Sequence, residues 1–167
     1  PRSFYQVNPV QTEILYSLAK EYASLTGKEK VIDAYCGTGT IGLTMADKAK
    51  EIIGVEVNPD AIKDAKVNTK LNGIKNAKHF VGDAGTFMSG LAKNGDAADV
   101  VITDPPRAGC SMQFLRSLIT LAPKRIVYIS CNPETLARDL NTLTKNGYKV
   151  KKIQGVDLFP HTQHVES

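Results

Sequence analysis

The chain has 167 residues, 42% of them hydrophobic and 23% charged, which is the size and balance of one soluble globular domain with a core of its own. No apolar run approaches the ~20 residues of a membrane-spanning helix, and no signal peptide heads the chain, so no membrane partner is expected. The net charge of +4 permits an anionic partner without demanding one.

The N-terminal stretch, residues 8–24, places Val10, Ile14, Leu15, Leu18 and Tyr22 at helical spacing, and Gly27 closes it. Strands follow at 30–34, 51–56, 77–81, 98–103, 125–130 and 148–156. Helices alternate with them at 39–49, 59–72, 111–121 and 133–146; the segment 85–93 is ambiguous and is read as a short helix. Strands alternating with helices make βαβ units, hence a doubly wound, mostly parallel α/β sheet with helices on both faces, behind an N-terminal helix. No repeat or internal linker divides the chain. It starts at Pro1 and ends as His164-Val165-Glu166 begins what looks like a further strand, so it reads as a piece of a longer protein. Cys36, Cys110 and Cys131 are odd in number and widely spaced, which argues for a reducing, cytosolic setting. No CxxC or CxH spacing suggests a metal.

The first strand runs into a glycine-rich turn, Val31-Ile-Asp-Ala-Tyr-Cys-Gly-Thr-Gly-Thr-Ile-Gly42. Gly37, Gly39 and Gly42 have the GxGxxG spacing of dinucleotide sites, where glycines let the backbone approach a ligand. An NAD-dependent oxidoreductase is therefore one reading, and a tight turn without a ligand is another. Asp33, at the strand tip, would repel a pyrophosphate but suits a cation. Glu56, ending the second strand, can hold both hydroxyls of a ribose. An adenosyl ligand with a sulfonium charge and no phosphates fits this pair better than NAD does. Asp83 follows the third strand in Gly82-Asp-Ala84 and reads otherwise as a plain turn residue.

The fourth strand ends in Asp104-Pro-Pro-Arg107, whose prolines fix the backbone after Asp104. Enzymes that methylate exocyclic amines usually carry an aromatic residue after such a pair; Arg107 stands there instead and points to a different substrate atom. The fifth strand delivers Cys131 to its C-terminal tip, where Asn132-Pro133 starts a helix. A pyrimidine C5 is too weak a nucleophile to take a methyl group unaided. A thiolate added to C6 makes C5 nucleophilic, and a separate base must then remove the C5 proton. A helix N-terminus aimed at the sulfur would favour the thiolate. His161, His164 and Glu166 are candidates for the base; the alternatives are a small buried hydrophobe for Cys131 and a simple turn into an edge strand for the last segment.

These stretches, with Ser3-Phe-Tyr-Gln-Val-Asn8 and Phe159-Pro-His-Thr-Gln-His-Val-Glu166, resemble the catalytic domain of the RNA uracil-5-methyltransferases, which make 5-methyluridine in tRNA and 23S rRNA. The resemblance implies a Rossmann-like methyltransferase domain over residues 1–167, using S-adenosyl-L-methionine and acting on RNA, as a cytoplasmic monomer. It implies that Gln6, Tyr35, Glu56 and Asp104 bind the cofactor, with the Gly37 turn, and that Thr40 and Asp83 assist, Asp83 at the adenine amine. Cys131 would be the nucleophile, Glu166 the base, and Arg107 a contact to the RNA or the base. Family members carry an upstream RNA-binding domain and a last strand that this chain lacks, and some hold an iron–sulfur cluster for which Cys36 and Cys110 have no motif. An isolated cofactor-binding domain without turnover is the alternative.

Overall fold

A computed structural model of the chain describes residues 9–156, so Gln6, His161, His164 and Glu166 lie outside the described residues. The first element is α1 (Pro9–Ala23), whose Leu15, Ala19 and Ala23 form a buried stripe one helical turn apart. Then come β1 (Lys30–Ala34), α2 (Thr40–Thr44), β2 (Glu51–Glu56), α3 (Pro59–Leu71), β3 (Ala77–Val81), α4 (Ala84–Asn94), β4 (Val100–Thr103), α5 (Met112–Leu121), β5 (Arg125–Tyr128) and α6 (Pro133–Thr144).

The strands form a five-stranded sheet in the order β3-β2-β1-β4-β5, with every pairing parallel. A parallel sheet covered on both faces needs strands that are apolar throughout, and β4 is buried at every position. Successive residues serve opposite cores. Val31, Ile52, Val100 and Ile102 pack with α1 and Met45. Ile32, Ile53 and Val101 pack with Met88 of α4 and with Phe114, Leu115 and Leu118 of α5. The doubly wound architecture and the N-terminal helix are as the sequence predicts. No helix among the described residues is long and apolar enough to cross a membrane.

Side-chain caps fix where the helices start. Asn58 accepts from the Asp60 and Ala61 amides, with Pro59 next in the helix. Asp83 accepts from the Thr86 amide, Ser111 from that of Phe114, and Asn132 from that of Glu134, with Pro133 next. Each capped start lies beyond a strand's C-terminal end, so helix N-termini gather along one edge of the sheet.

Two residues are trimmed from each of three predicted elements, 98–103 (β4, Val100–Thr103), 125–130 (β5, Arg125–Tyr128) and 133–146 (α6, Pro133–Thr144), and the structure departs further from the sequence reading elsewhere. The helix expected at 39–49 is a single turn, α2, followed by a 3₁₀ turn at Ala46–Lys48. Met45 leaves helical geometry between them, its side chain fully buried against β1 and β2. The ambiguous segment 85–93 is a full helix, α4, that stops at Gly95 in the left-handed region. The strand expected at 148–156 does not form: residues 148–155 carry no strand, and only Val156 makes an isolated bridge. A strand needs a neighbour to complete its ladder, and Val150 and Ile153 of this segment stay 46% and 69% exposed. Residues 147–156 instead run over an apolar cavity of about 870 Å³ between α1, β5 and α6.

Candidate active site

In the sheet order, the chain winds from β1 to β2 and β3 on one side and to β4 and β5 on the other. The crevice beyond the C-terminal ends of β1, β2 and β4 is therefore the topological switch point, where such sheets hold ligands. The turn leaving β1 fills it. Tyr35 has φ 57°, an unfavourable conformation for an aromatic residue, and Gly37 and Gly39 have φ 55° and 81°, which glycine adopts without cost. The turn is pinned by the Cys36 amide to the Val55 carbonyl at 3.0 Å, by the Gly39 amide to the Cys36 carbonyl at 2.9 Å, and by Asn68 Nδ2 to the Thr38 carbonyl at 3.3 Å. A side chain at Gly37 would meet nothing within 4 Å, so this face of the turn is open.

Carboxylates surround the turn. Glu56 is half-buried and accepts from the Gly37 amide at 3.3 Å and the Asn58 amide at 2.9 Å, one bond to each oxygen, which fixes its orientation. Asp33 is 1% exposed. Its Oδ2 accepts from the Gly42 amide at 3.0 Å, while its buried Oδ1 has no partner among the described residues. Burial and the nearby Glu56 charge push the Asp33 carboxyl up to about 7, against the pull of the Gly42 N–H. Asp104 follows β4, half-buried, with its amide on the Ala34 carbonyl at 3.4 Å. Burial and then the charges of Asp104 and Asp33 raise the Tyr16 hydroxyl above its ordinary range, so α1 adds a tyrosine to this cluster.

The other predicted cofactor residues are placed as follows. Tyr35 packs its ring on Phe114 at 5.5 Å between centroids. Thr40 opens α2, exposed, with its hydroxyl 3.1 Å from that of Thr38. Asp83 is exposed and caps α4, accepting from the Thr86 amide at 2.8 Å and hydroxyl at 3.0 Å through one oxygen.

Of the three cysteines, Cys36 and Cys110 are buried and Cys131 is half-buried; all are free thiols. Burial pushes the Cys110 thiol up to about 12 and that of Cys36 higher still, which leaves both protonated and unreactive. Cys131 stands just before the cap residue of α6, at the helix N-terminus. The turn that carries it is locked by Ser130, whose hydroxyl donates to the Asn132 carbonyl at 2.8 Å and accepts from the Asn132 amide at 3.0 Å. The same turn grips the proline loop opposite. Asn132 Nδ2 and Thr135 Oγ1 both donate to the Arg107 carbonyl, at 2.9 and 3.1 Å. The structure thus brings the Asp104–Arg107 loop and the Cys131 turn together, and the Asp104 amide ties the start of that loop to Ala34, just before the glycine turn.

Three contributors were not read from the sequence. Tyr16 sits one residue past Leu15 on α1, and nothing local marks it. His79 of β3 is buried beneath the glycine turn, where a Cβ on Gly39 or Gly54 would collide with its ring. Burial and the Lys66 charge keep that imidazole below its ordinary pKa. Asp139 of α6 is a fully buried carboxylate.

Comparison with known proteins sets this geometry in a family. Residues 2–167 match the family model described as tRNA (Uracil-5-)-methyltransferase. An uncharacterized RNA methyltransferase of Enterococcus faecalis is 57% identical over 166 residues, and one from Halalkalibacterium halodurans is 54% identical. Each alignment covers 99% of this chain and 36% of the relative, so the chain spans about a third of the length of these proteins. Among solved structures, the Pyrococcus abyssi tRNA (uracil-54, C5)-methyltransferase in complex with S-adenosyl-L-homocysteine superposes with a TM-score of 0.84 at 36% identity. That match covers 99% of this chain and 39% of that one. A dimethyladenosine transferase from Plasmodium falciparum, at a TM-score of 0.70 and 20% identity over 98% of this chain and 61% of its own, shares the fold. By these matches, the chain belongs to the tRNA (uracil-5-)-methyltransferase family.

Proposed function

We propose that residues 1–167 form the S-adenosyl-L-methionine-dependent catalytic domain of an enzyme that methylates uracil C5 in RNA, tRNA or rRNA, through a covalent Cys131 adduct. The observation that carries the reading is the half-buried Cys131 at the α6 N-terminus, in a turn whose Asn132, with Thr135, donates to the Arg107 carbonyl of the Asp104–Arg107 loop.

The residues present fit the cofactor. Glu56 is oriented by two amides at the end of β2, where a ribose diol can take its oxygens. The space over Gly37 is open. The carboxyl groups of Asp33, Glu56 and Asp104 gather at this end of the sheet, and the buried Asp33 Oδ1 lacks a partner among the described residues. Such a site favours a positively charged ligand. Gln6, Tyr35, Thr40, Asp83 and Asp104 complete the proposed set. When bound, the cofactor supplies an electrophilic methyl group.

The chain's own residues do the rest. Cys131 sulfur forms a bond to uracil C6, and the electron pair of the C5–C6 double bond moves onto C5 and O4. A helix N-terminus aimed at the sulfur would favour the thiolate before attack. Arg107 contacts the RNA or the base. C5 takes the methyl group; Glu166 then accepts the C5 proton, the C5–C6 double bond re-forms, and the C6–S bond breaks to return the thiolate. Three free cysteines suit a reducing cytoplasm, and we read the protein as a monomer.

The test is to incubate the protein with methyl-labelled S-adenosyl-L-methionine and unmodified tRNA and rRNA, then digest the RNA to nucleosides. Label in 5-methyluridine is expected. Label in a methylated adenosine or cytidine instead would overturn the reading.

A further inference from the structure

Asp139 lies in α6 with no exposed surface. A carboxylate in such a place is disfavoured unless both oxygens are paired. Its Oδ2 accepts from the Tyr128 hydroxyl at 2.6 Å and the Cys110 amide at 2.8 Å. Its Oδ1 accepts from Arg138 Nε at 3.1 Å and stands 3.0 Å from the Nη2 of the same guanidinium in an ion pair. That Arg138 Nη2 also donates to the Ala108 carbonyl at 2.8 Å and to the Cys110 carbonyl at 3.4 Å. Thr103, the last residue of β4, has its hydroxyl 3.5 Å from Cys110 Sγ. Gly109, at φ 78°, lies so close to Arg138 and Asp139 that a Cβ would collide with both. Together with the bonds of Asn132 and Thr135 to the Arg107 carbonyl, α6 holds the proline loop at residues 107, 108 and 110.

We infer that Asp139, acting through Arg138 and the Cys110 amide, is a positioning residue that fixes the 105–111 loop, and with it Arg107, against the Cys131 turn. The inference rests on the reaction proposed above. An amide cannot replace this carboxylate: each oxygen faces donors only, so an NH₂ in either position would meet another N–H or O–H. Asp104 is tied separately, by its amide to Ala34 of β1, so loosening the loop leaves the cofactor side in place.

The test compares wild type, Asp139→Asn and Tyr128→Phe by three readouts: S-adenosylhomocysteine affinity, the single-turnover rate of adduct formation with 5-fluorouridine RNA, and amide hydrogen exchange. Loss of one charge-assisted contact predicts an adduct rate lower by about tenfold or more in Asp139→Asn, with affinity within about threefold of wild type. Exchange should rise over residues 107–111 and stay unchanged over 37–42. An unchanged rate in folded Asp139→Asn, or a loss of affinity as large as the loss of rate, would overturn the positioning role. If Asp139→Asn fails to fold, Tyr128→Phe, which removes one hydroxyl, decides by the same criteria. A wild type that binds S-adenosylhomocysteine but forms no adduct counts against the proposed reaction; exchange then judges the clamp, and unaltered exchange over 107–111 in the variants overturns it.

Discussion

The carboxylates at the strand tips look alike in sequence, yet their surroundings give them different work. Glu56 and Asp104 are half-buried at the crevice, whereas Asp33 is closed off and bonded to Gly42. Asp33 was legible as a strand-tip acid but not as a buried one, because its burial comes from α1 and α2 folding over β1. Its carboxyl is raised from 3.8 to about 7, chiefly by burial and then by Glu56. The folded chain therefore keeps a proton that the unfolded chain releases. This stabilisation is full below about pH 4 and is lost as pH rises through about 7. Asp33→Asn cannot ionise, so wild-type stability should fall relative to the variant between these limits, by on the order of 2–4 kcal/mol. Urea unfolding of both proteins across that range measures this, and parallel pH profiles would contradict it.

At the scale of elements, the apolar runs and the Asn132-Pro133 start made strands and helices readable, while the caps Asn58, Asp83 and Ser111 emerged only in the fold. Strands buried on both faces have little room for polar residues, and an Asn-Pro start has few other uses. The segment 148–156 misled because apolar content marks burial potential, while a strand also requires a ladder partner. Gly42 was legible as part of the glycine spacing but was read as a ligand-approach position, whereas in the fold it lets α2 pack closely on the sheet. A Cβ there would stand 2.8 Å from Asp33 Oδ2 and 2.9 Å from Ile52 Cγ2, both fully enclosed by α2, β1 and β2. Gly42→Ala should therefore lower stability by about 1–3 kcal/mol through overpacking and push α2 away from the sheet. Calorimetric melting with and without S-adenosylhomocysteine checks both effects; a variant with wild-type melting and affinity would refute the packing argument.

For the whole molecule, the sequence carried the architecture and the local motifs, and the structure supplied what joins them. Cys131 and the Asp104–Arg107 loop are far apart in the chain, and each could be singled out by itself. That α6 binds one to the other was invisible, because nothing local to Asn132, Thr135, Arg138 and Asp139 names Arg107, Ala108 and Cys110 as their partners. The account rests on Cys131 as the nucleophile, with the buried Cys36 and Cys110 as inert core thiols. The direct test is to mix the protein and S-adenosyl-L-methionine with RNA carrying 5-fluorouridine, which has no C5 proton to lose, and to look for a denaturation-stable protein–RNA complex. The wild type should form the complex, Cys36→Ala and Cys110→Ala should retain it if folded, and Cys131→Ala should abolish it. A complex that survives Cys131→Ala would contradict the account.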